Sequence, residues 1–221
     1  MIESPTVVVR GEAVREVPPE LASFSVTVSA RDKDRQTALT RLAERSAAIR
    51  AVLDSYPDAI ERRETGGVHL RPELKRAGER VVAYTGAVTT TVIVTDFTAL
   101  GEMLLHLADQ DQTSVSGPWW QLRPGSRAGA EVRQAAVADA LERAREYAAA
   151  VGARLDRLIE IADEGVGGGG GGGPMMRAAY AGFAASGTGE PVELDLDPQP
   201  QTVQASVQLR FGMTEPTFGT D

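Results

Sequence analysis

The residues most able to bind a charged ligand are the seven consecutive glycines at positions 167–173. Glycine loops bind phosphate when a helix begins directly after them, because the N–H groups of the loop and helix then point at the anion. Here Pro174 and two methionines follow, and the chain lacks the Gly-Lys-Ser or Gly-Lys-Thr sequence of a P-loop. We therefore interpret residues 164–190 as a flexible Gly-rich loop that acts as a linker.

Histidines and carboxylates are the other candidates for catalysis or metal binding. His69 and His106 are the only histidines, and neither lies in an HExxH sequence or another zinc-ligand spacing. Asp195 and Asp197, near Glu193, could supply oxygen ligands to Ca²⁺, but their alternation with leucines is more typical of a solvated strand face. The chain also has no cysteine and no G-x-S-x-G sequence. We expect no catalytic residue, no cofactor and no metal site.

Aromatic residues indicate a surface that could bind proteins. Trp119 and Trp120 are adjacent, so in a strand their side chains point to opposite faces. We expect Trp120 to lie in the core together with Leu122. Trp119 is then near the surface, either as an interface anchor or as a partly covered packing residue.

A second group of apolar residues follows the glycine run. Its members recur at approximately helical spacing, at Met175, Met176, Tyr180 and Phe183. An apolar segment on a flexible tether can dock on a neighbouring subunit or on a partner, although a disordered apolar tail has the same composition. The sequence therefore predicts five partner-binding residues: Trp119, Met175, Met176, Tyr180 and Phe183.

Charge and hydropathy limit the partners and the location. The net charge is −8 and the isoelectric point is near 4.9, which disfavours binding to a nucleic-acid backbone. No apolar run is long enough for a transmembrane helix. The first residues lack the basic and apolar regions of a signal peptide, so we expect a cytoplasmic protein.

The spacing of apolar residues changes sharply within residues 80–107, from that of a strand to that of a helix. Between Val82 and Val94, apolar or small residues occupy almost every even position, as in a strand with one buried face. After Asp96, which can cap a helix, apolar residues recur at helical spacing. The same criteria predict helices at 34–55 and 126–151, and further strands at 6–15, 21–30, 60–65, 68–74, 113–122, 154–163 and 201–211.

Turn signals predict how these elements pair and end. We expect the first two strands to form a β-hairpin, and the strands at 60–65, 68–74 and 82–94 to form a meander. Pro118 places its strand at a sheet edge or at a bulge, because proline cannot donate to the ladder. Ser126 can cap the last helix, and Gly152 is suited to end it.

The last predicted helix carries a stripe of mostly small residues: Val132, Ala136, Ala140, Ala144, Tyr147, Ala148 and Val151. Alanine buries little apolar area, but it allows another backbone to approach closely. We therefore expect another backbone to pack closely against this helix.

The order of these strands and helices resembles that of the SIMPL-domain family, also called DUF541. The resemblance rests on an ordered set of segments: VVVRGEAVREVPPELASFSVTVSA, VAYTGAVTTTVIVTDFTALGEML, AAVADALERAREYAAAVGARLDRLIEIADEG, PMMRA and QASVQLRF. The predicted elements, with three helices, follow the order β-β-α-β-β-β-α-β-α-β-loop-β, and the resemblance implies that they form an α+β fold, mainly an antiparallel sheet packed by the helices. It also implies large homo-oligomers, so we expect self-association through strand edges and through the alanine-rich helix. Members are periplasmic or outer-membrane-associated bacterial proteins, or an animal kinase-interacting adaptor, and the resemblance supplies no active site.

These observations favour a single SIMPL-like domain over residues 1–221, with a division into two lobes as an alternative. We expect a non-enzymatic protein that forms a homo-oligomeric scaffold and binds an unidentified protein partner. The alternative is a small-molecule or metal-binding protein with a pocket between sheet and helices, and with the Gly-rich loop as its lid.

Overall fold

A computed structural model of the protein describes residues 4–75, 80–163 and 194–217. Within these ranges the α+β prediction is confirmed, and every strand pair is antiparallel. The helices are α1 (Arg35–Asp54), α2 (Leu100–Ala108) and α3 (Arg127–Ala150). The strands are β1 (Thr6–Val17), β2 (Leu21–Asp32), β3 (Ile60–Leu74), β4 (Val81–Val94), β5 (Thr113–Gln121), β6 (Leu155–Asp163) and β7 (Gln201–Met213).

The described chain divides into two compact units. Unit 1 contains residues 4–18, 123–163 and 200–217, and unit 2 contains residues 19–75, 80–122 and 194–199. Each unit has its own sheet, with strand order β1-β7-β6 in unit 1 and β3-β4-β2-β5 in unit 2.

Unit 1 is a three-stranded sheet with α3 on one face. β1 and β7 pair along their whole length, from Thr6 opposite Gly212 to Val17 opposite Gln201. The alternation in β7 predicts its buried face correctly, because all five predicted residues are buried: Val203, Ala205, Val207, Leu209 and Phe211. These side chains and α3 form the core of the unit.

The small residues of α3 are buried against this sheet. A Cβ atom added to Gly11 of β1 would overlap the carbonyl oxygen of Ala136, so β1 and α3 are in close backbone contact. The predicted close approach is therefore made by a strand of the same unit. The stripe is not free for self-association, and this part of our expectation is wrong. Tyr147 is also wrongly placed on the stripe, since it is 63% exposed on the flank of the helix.

Unit 2 is a four-stranded sheet that packs against two helices. α1 lies over β2 and β4, and α2 contacts β5. Phe24 of β2, Leu42 of α1 and Met103 of α2 belong to one buried cluster. The predicted edge position and bulge of β5 are both confirmed, because it is the last strand of the sheet and its register with β2 shifts between Ser23 and Ser25.

Two predictions of strand pairing are wrong. β1 and β2 do not form a hairpin, because β1 pairs with β7 and β2 lies between β4 and β5. Alternation identifies the buried face of a strand but not its neighbour, and Pro18 and Pro19 separate the two strands here. The strands expected at 60–65 and 68–74 are one strand, β3, whose register shifts between Thr65 and Gly67. The glycines at this point mark a bulge and not a turn.

The predicted helix ends are largely confirmed. The Ser126 side chain accepts a hydrogen bond from the N–H of Ala128, and Gly152, the second residue after α3, adopts a φ of +66°. Asp96 accepts hydrogen bonds from the N–H and hydroxyl of Thr98 at 2.9 and 2.6 Å, but it caps a turn because α2 begins only at Leu100.

Candidate functional site

The most exposed apolar strand of unit 1 is β6, at one edge of the sheet. Seven of its nine residues are exposed, including Leu158, Ile159 and Ile161, which are 51%, 46% and 57% exposed. Among the described residues no strand pairs with its outer side. We call the outer side of Leu155–Asp163 the β6 edge.

The apolar residues of the β6 edge continue the core of unit 1. Leu158 lies opposite Phe211, and Ile161 lies opposite Leu209. Directly paired residues of an antiparallel sheet point to the same face, so Leu158 and Ile161 lie on the α3 side. Since α3 packs mainly on β1 and β7, it leaves these two side chains uncovered.

A groove separates α3 from the β6 edge. It has a volume of about 480 Å³, and its walls include Ala130 and Val137 from α3 and Ile161 and Val207 from the sheet. Arg133 and Asp163 lie at the same groove, so charged groups accompany its apolar walls. The groove and the β6 edge form a continuous partly apolar surface on one side of unit 1.

The other face of the β6 edge is also partly apolar. The register of β6 shifts between Leu158 and Glu160, so Ile159 is an additional residue in the ladder. Its Cδ1 lies 3.8 Å from the position that a Cβ atom would take on Gly212. Beside it Glu160 forms an ion pair with Arg210 at 3.5 Å. Both faces of the strand thus expose apolar groups.

Other exposed apolar residues also concentrate on edge strands. Val8 and Val14 lie on β1, at the opposite edge of the unit 1 sheet, and are 48% and 63% exposed. Val68 and Leu74 lie on β3, which is an edge strand of unit 2. Sequence alternation could not identify these edges, because it does not show which strands lack a second neighbour.

The five predicted partner-binding residues are only partly described. Trp119 is half-buried on β5, opposite Ser23 of β2. The prediction for Trp120 and Leu122 holds only in part. Trp120 is half-buried like Trp119, but it packs against the core of unit 2 and makes an edge-to-face contact with Phe97 at 4.9 Å between ring centroids, whereas Leu122 is half-buried and outside that core. The other four predicted residues lie outside the described ranges: Met175, Met176, Tyr180 and Phe183.

The two histidines lie in different surroundings. His69 is exposed on β3. His106 Nδ1 lies 2.6 Å from the hydroxyl of Tyr56, and its Nε2 lies 3.9 Å from Glu102. Partial burial and the nearby Glu102 raise the pKa of Tyr56. The pair was not visible in the sequence because Tyr56 and His106 are 50 positions apart.

The acidic residues do not form a metal site in the described ranges. Asp195 and Asp197 are exposed, whereas Leu194 and Leu196 pack against the core of unit 2. This alternation agrees with the solvated face that the sequence suggests. Across residues 4–75, 80–163 and 194–217, no three carboxylate or histidine side chains are grouped so that they could bind a metal ion. No helix in these ranges has both the length and the hydropathy needed to cross a bilayer.

Two antiparallel α+β units, one with a single helix on its sheet and the other with two, define the class of this protein. The chain belongs to the SIMPL family, a family of proteins of unknown function (DUF541), whose model matches residues 7–211. No curated protein matches the chain.

Solved structures resemble the chain only weakly. One is a candidate amidohydrolase/peptidase from Burkholderia cenocepacia, with 14% identity, a TM-score of 0.32, and coverage of 54% of this chain and 31% of the other. Another is a hydantoinase/carbamoylase family amidase from Burkholderia ambifaria, with 17% identity, a TM-score of 0.27, and coverage of 59% and 34%. The chain thus spans about a third of each of these longer proteins.

Proposed function

We propose that this protein is a non-enzymatic scaffold whose copies associate through the β6 edge and which binds a partner protein. The observation that carries the proposal is the uncovered edge strand with Leu158, Ile159 and Ile161 exposed. An edge strand presents unpaired N–H and C=O groups, and proteins use such edges to add a strand from another chain. Apolar side chains on both faces add buried area when that strand docks.

A second copy of the chain supplies suitable occupants for this edge. The sheet of unit 1 has two edges, β6 and β1, and β1 also exposes Val8 and Val14. Val8 and Glu160 both lie opposite Arg210, so they share the face away from α3, where Ile159 is also exposed. The β1 edge of one copy can therefore pair with the β6 edge of another. Their exposed apolar side chains then meet on the face of the sheet away from α3.

Light scattering after size-exclusion chromatography tests the self-association. We expect the full chain to elute well above the mass of one chain, 23.4 kDa. The double variant Leu158→Lys and Ile161→Lys should shift toward that mass, because charges on an edge strand oppose pairing. Val81→Lys, which changes a 42% exposed valine on the inner strand β4, is the matched control and should assemble normally. A monomeric full chain at all micromolar concentrations, or an assembled double variant, would contradict the proposal.

A separate experiment tests the partner. We expect a protein that co-purifies with the full chain to be lost when Met175, Met176, Tyr180 and Phe183 are changed to serine. Val81→Ser serves as the control and should retain the partner. Equal recovery with both variants would exclude the segment at 174–190 as the binding element.

A further inference from the structure

One face of the unit 2 sheet points away from both helices of the unit. α1 and α2 pack on the other face, where Phe24, Val26 and Val28 of β2 belong to the buried core cluster. Successive residues of a strand point to opposite faces, so Ser25 and Thr27 point away from the helices. Both are half-buried, although they lie on an inner strand of the sheet.

Hydroxyl groups form a regular array at the centre of this face. Directly paired residues of antiparallel strands share a face, so the register places side by side the hydroxyls of β5, β2 and β4. They form two rows of three, which are Ser116, Ser25 and Thr91, and then Ser114, Thr27 and Thr89. We call these six residues the hydroxyl face.

Most groups of the hydroxyl face are available to another molecule. The hydroxyls of Thr27 and Thr89 are 2.9 Å apart and bond to each other. Within the described ranges, no protein group bonds to the other four hydroxyls of the array. Charged side chains of this face lie only toward its margins, where for example Arg62 pairs with Glu64 at 3.1 Å. The array therefore suits an uncharged ligand with many hydroxyl groups of its own, since each Ser or Thr hydroxyl can both donate and accept.

Trp119 lies at one corner of the hydroxyl face. It pairs with Ser23, in the row next to Ser25, and it is half-buried, so part of its side chain remains accessible. The exposed Gln121 lies beside it and donates to the hydroxyl of Ser23 at 2.8 Å. An indole beside hydroxyl groups matches the chemistry of a sugar ring, which has C–H groups that pack on an aromatic face and hydroxyls that form hydrogen bonds.

A groove lies at the opposite corner of the same face. It has a volume of about 510 Å³, and its walls include His69, Arg71 and Ala87. Ala87 lies two residues before Thr89 on β4, and His69 pairs with Ala87, so all three share the hydroxyl face. The path from Trp119 to His69 crosses three strand spacings and three pairs along the strands, which is about 25 Å. Such a path is long enough for several linked sugars.

We propose that the hydroxyl face binds an uncharged β-1,4-linked glycan. The equatorial bonds of this linkage keep the glycan extended, as a path across four strands requires. Trp119 packs on one sugar ring, the free serine and threonine hydroxyls bond to the central sugars, and Arg71 donates to a sugar in the groove. The site lies within unit 2 and is independent of the β6 edge, so it goes beyond the scaffold function.

An NMR titration of the full chain with cellohexaose tests the proposal. We expect shifts of the Trp119 indole N–H signal and of amide signals in β2, β4 and β5, with a Kd of about 1 mM or lower. Maltohexaose is the matched control, because it has the same sugars in an α-linkage that coils the chain. It should bind at least about fivefold more weakly.

Two variants of adjacent residues test which face binds. Thr91→Val removes a hydroxyl of the array but keeps the shape of the side chain, and it should weaken cellohexaose binding about threefold to tenfold. Thr90→Val is the matched control, because Thr90 pairs with the core residue Val26 and points to the opposite face. It should leave binding unchanged, and melting temperatures show that both variants are folded. Trp119→Ala should weaken binding about tenfold.

Three results would overturn the proposal. The first is no shift of the NMR signals up to about 10 mM cellohexaose, ten times the expected Kd. The second is equal binding by the folded Thr91→Val and Thr90→Val variants. The third is equal binding of cellohexaose and maltohexaose, which would mean that the face does not select an extended glycan.

Discussion

At the scale of single residues, Gly11 allows β1 and α3 of unit 1 to pack in close backbone contact. It lies in β1 directly under α3, where an added Cβ would overlap the carbonyl oxygen of Ala136 and lie 2.6 Å from the Cβ of Ala140. These are backbone and short side-chain atoms, which cannot rotate away. Next to it the N–H of Glu12 donates to Asp139 at 2.9 Å and lowers the pKa of that carboxyl, so the contact is held by a hydrogen bond as well.

Gly11→Ala is therefore expected to lower the free energy of unfolding by about 2–3 kcal/mol, because α3 must move off the sheet. Gly129→Ala is the matched control. It adds the same methyl group inside α3, where the nearest atom is 3.6 Å away on the flexible Arg133 side chain. This change should stabilise the helix by up to about 1 kcal/mol. Urea denaturation measures the free energy of unfolding of both variants. A Gly11→Ala variant as stable as the unchanged protein would disprove the close contact.

Glu73 gives a prediction about pH. Hydrogen bonds from Arg31 and then from Thr85 lower the pKa of Glu73 from 4.5 to about 2. Because the folded-state pKa is the lower one, the ion pair stabilises the protein above pH 4.5, and this contribution is lost as the pH falls toward 2. The difference in unfolding free energy between the unchanged protein and Glu73→Gln should be constant at neutral pH and shrink through this window. Arg31→Gln should behave in the same way, and a pH-independent difference would refute the assignment.

At the scale of elements, the sequence predicts faces and ends better than it predicts neighbours. All five inward residues of β7 and the caps of α3 follow from alternation and residue type, which are local properties. The pairing of β1 with β7 joins residues almost 200 positions apart, for example Arg10 and Ser206, so no local signal could show it. The bulge at Gly66 and Gly67 also has the same local signature as a turn.

The cap of α3 provides a prediction at this scale. Ser126→Ala should lower the free energy of unfolding by about 0.5–1 kcal/mol, because the N–H of Ala128 loses its acceptor. Ser126→Asp keeps an acceptor and should retain most of the stability. Thermal denaturation of the two variants compares them, and equal stability of Ser126→Ala and the unchanged protein would show that the cap contributes nothing.

At the scale of the whole molecule, the sequence indicates the family and the fold class but not the sites. A cavity in unit 2 is lined by residues of α1 and of the strands β2, β3 and β4. Its wall residues, for example Ser46 and Val88, therefore come together only after folding. The β6 edge is equally hidden, because LDRLIEIAD has the composition of an ordinary strand and its exposure depends on where α3 lies. Four of the predicted partner residues stay predictions, since they lie outside the described ranges: Met175, Met176, Tyr180 and Phe183.

Amide hydrogen exchange of the full chain at increasing protein concentration tests the association through the β6 edge most directly. If copies pair there, amides of Leu155–Asp163 that lack a partner within one chain should become protected as the concentration rises, and the double variant Leu158→Lys and Ile161→Lys should abolish this protection. Amides of the inner strand β4 should not change. Exchange in β6 that is independent of concentration, while light scattering shows an assembly, would place the interface elsewhere and contradict the proposed scaffold.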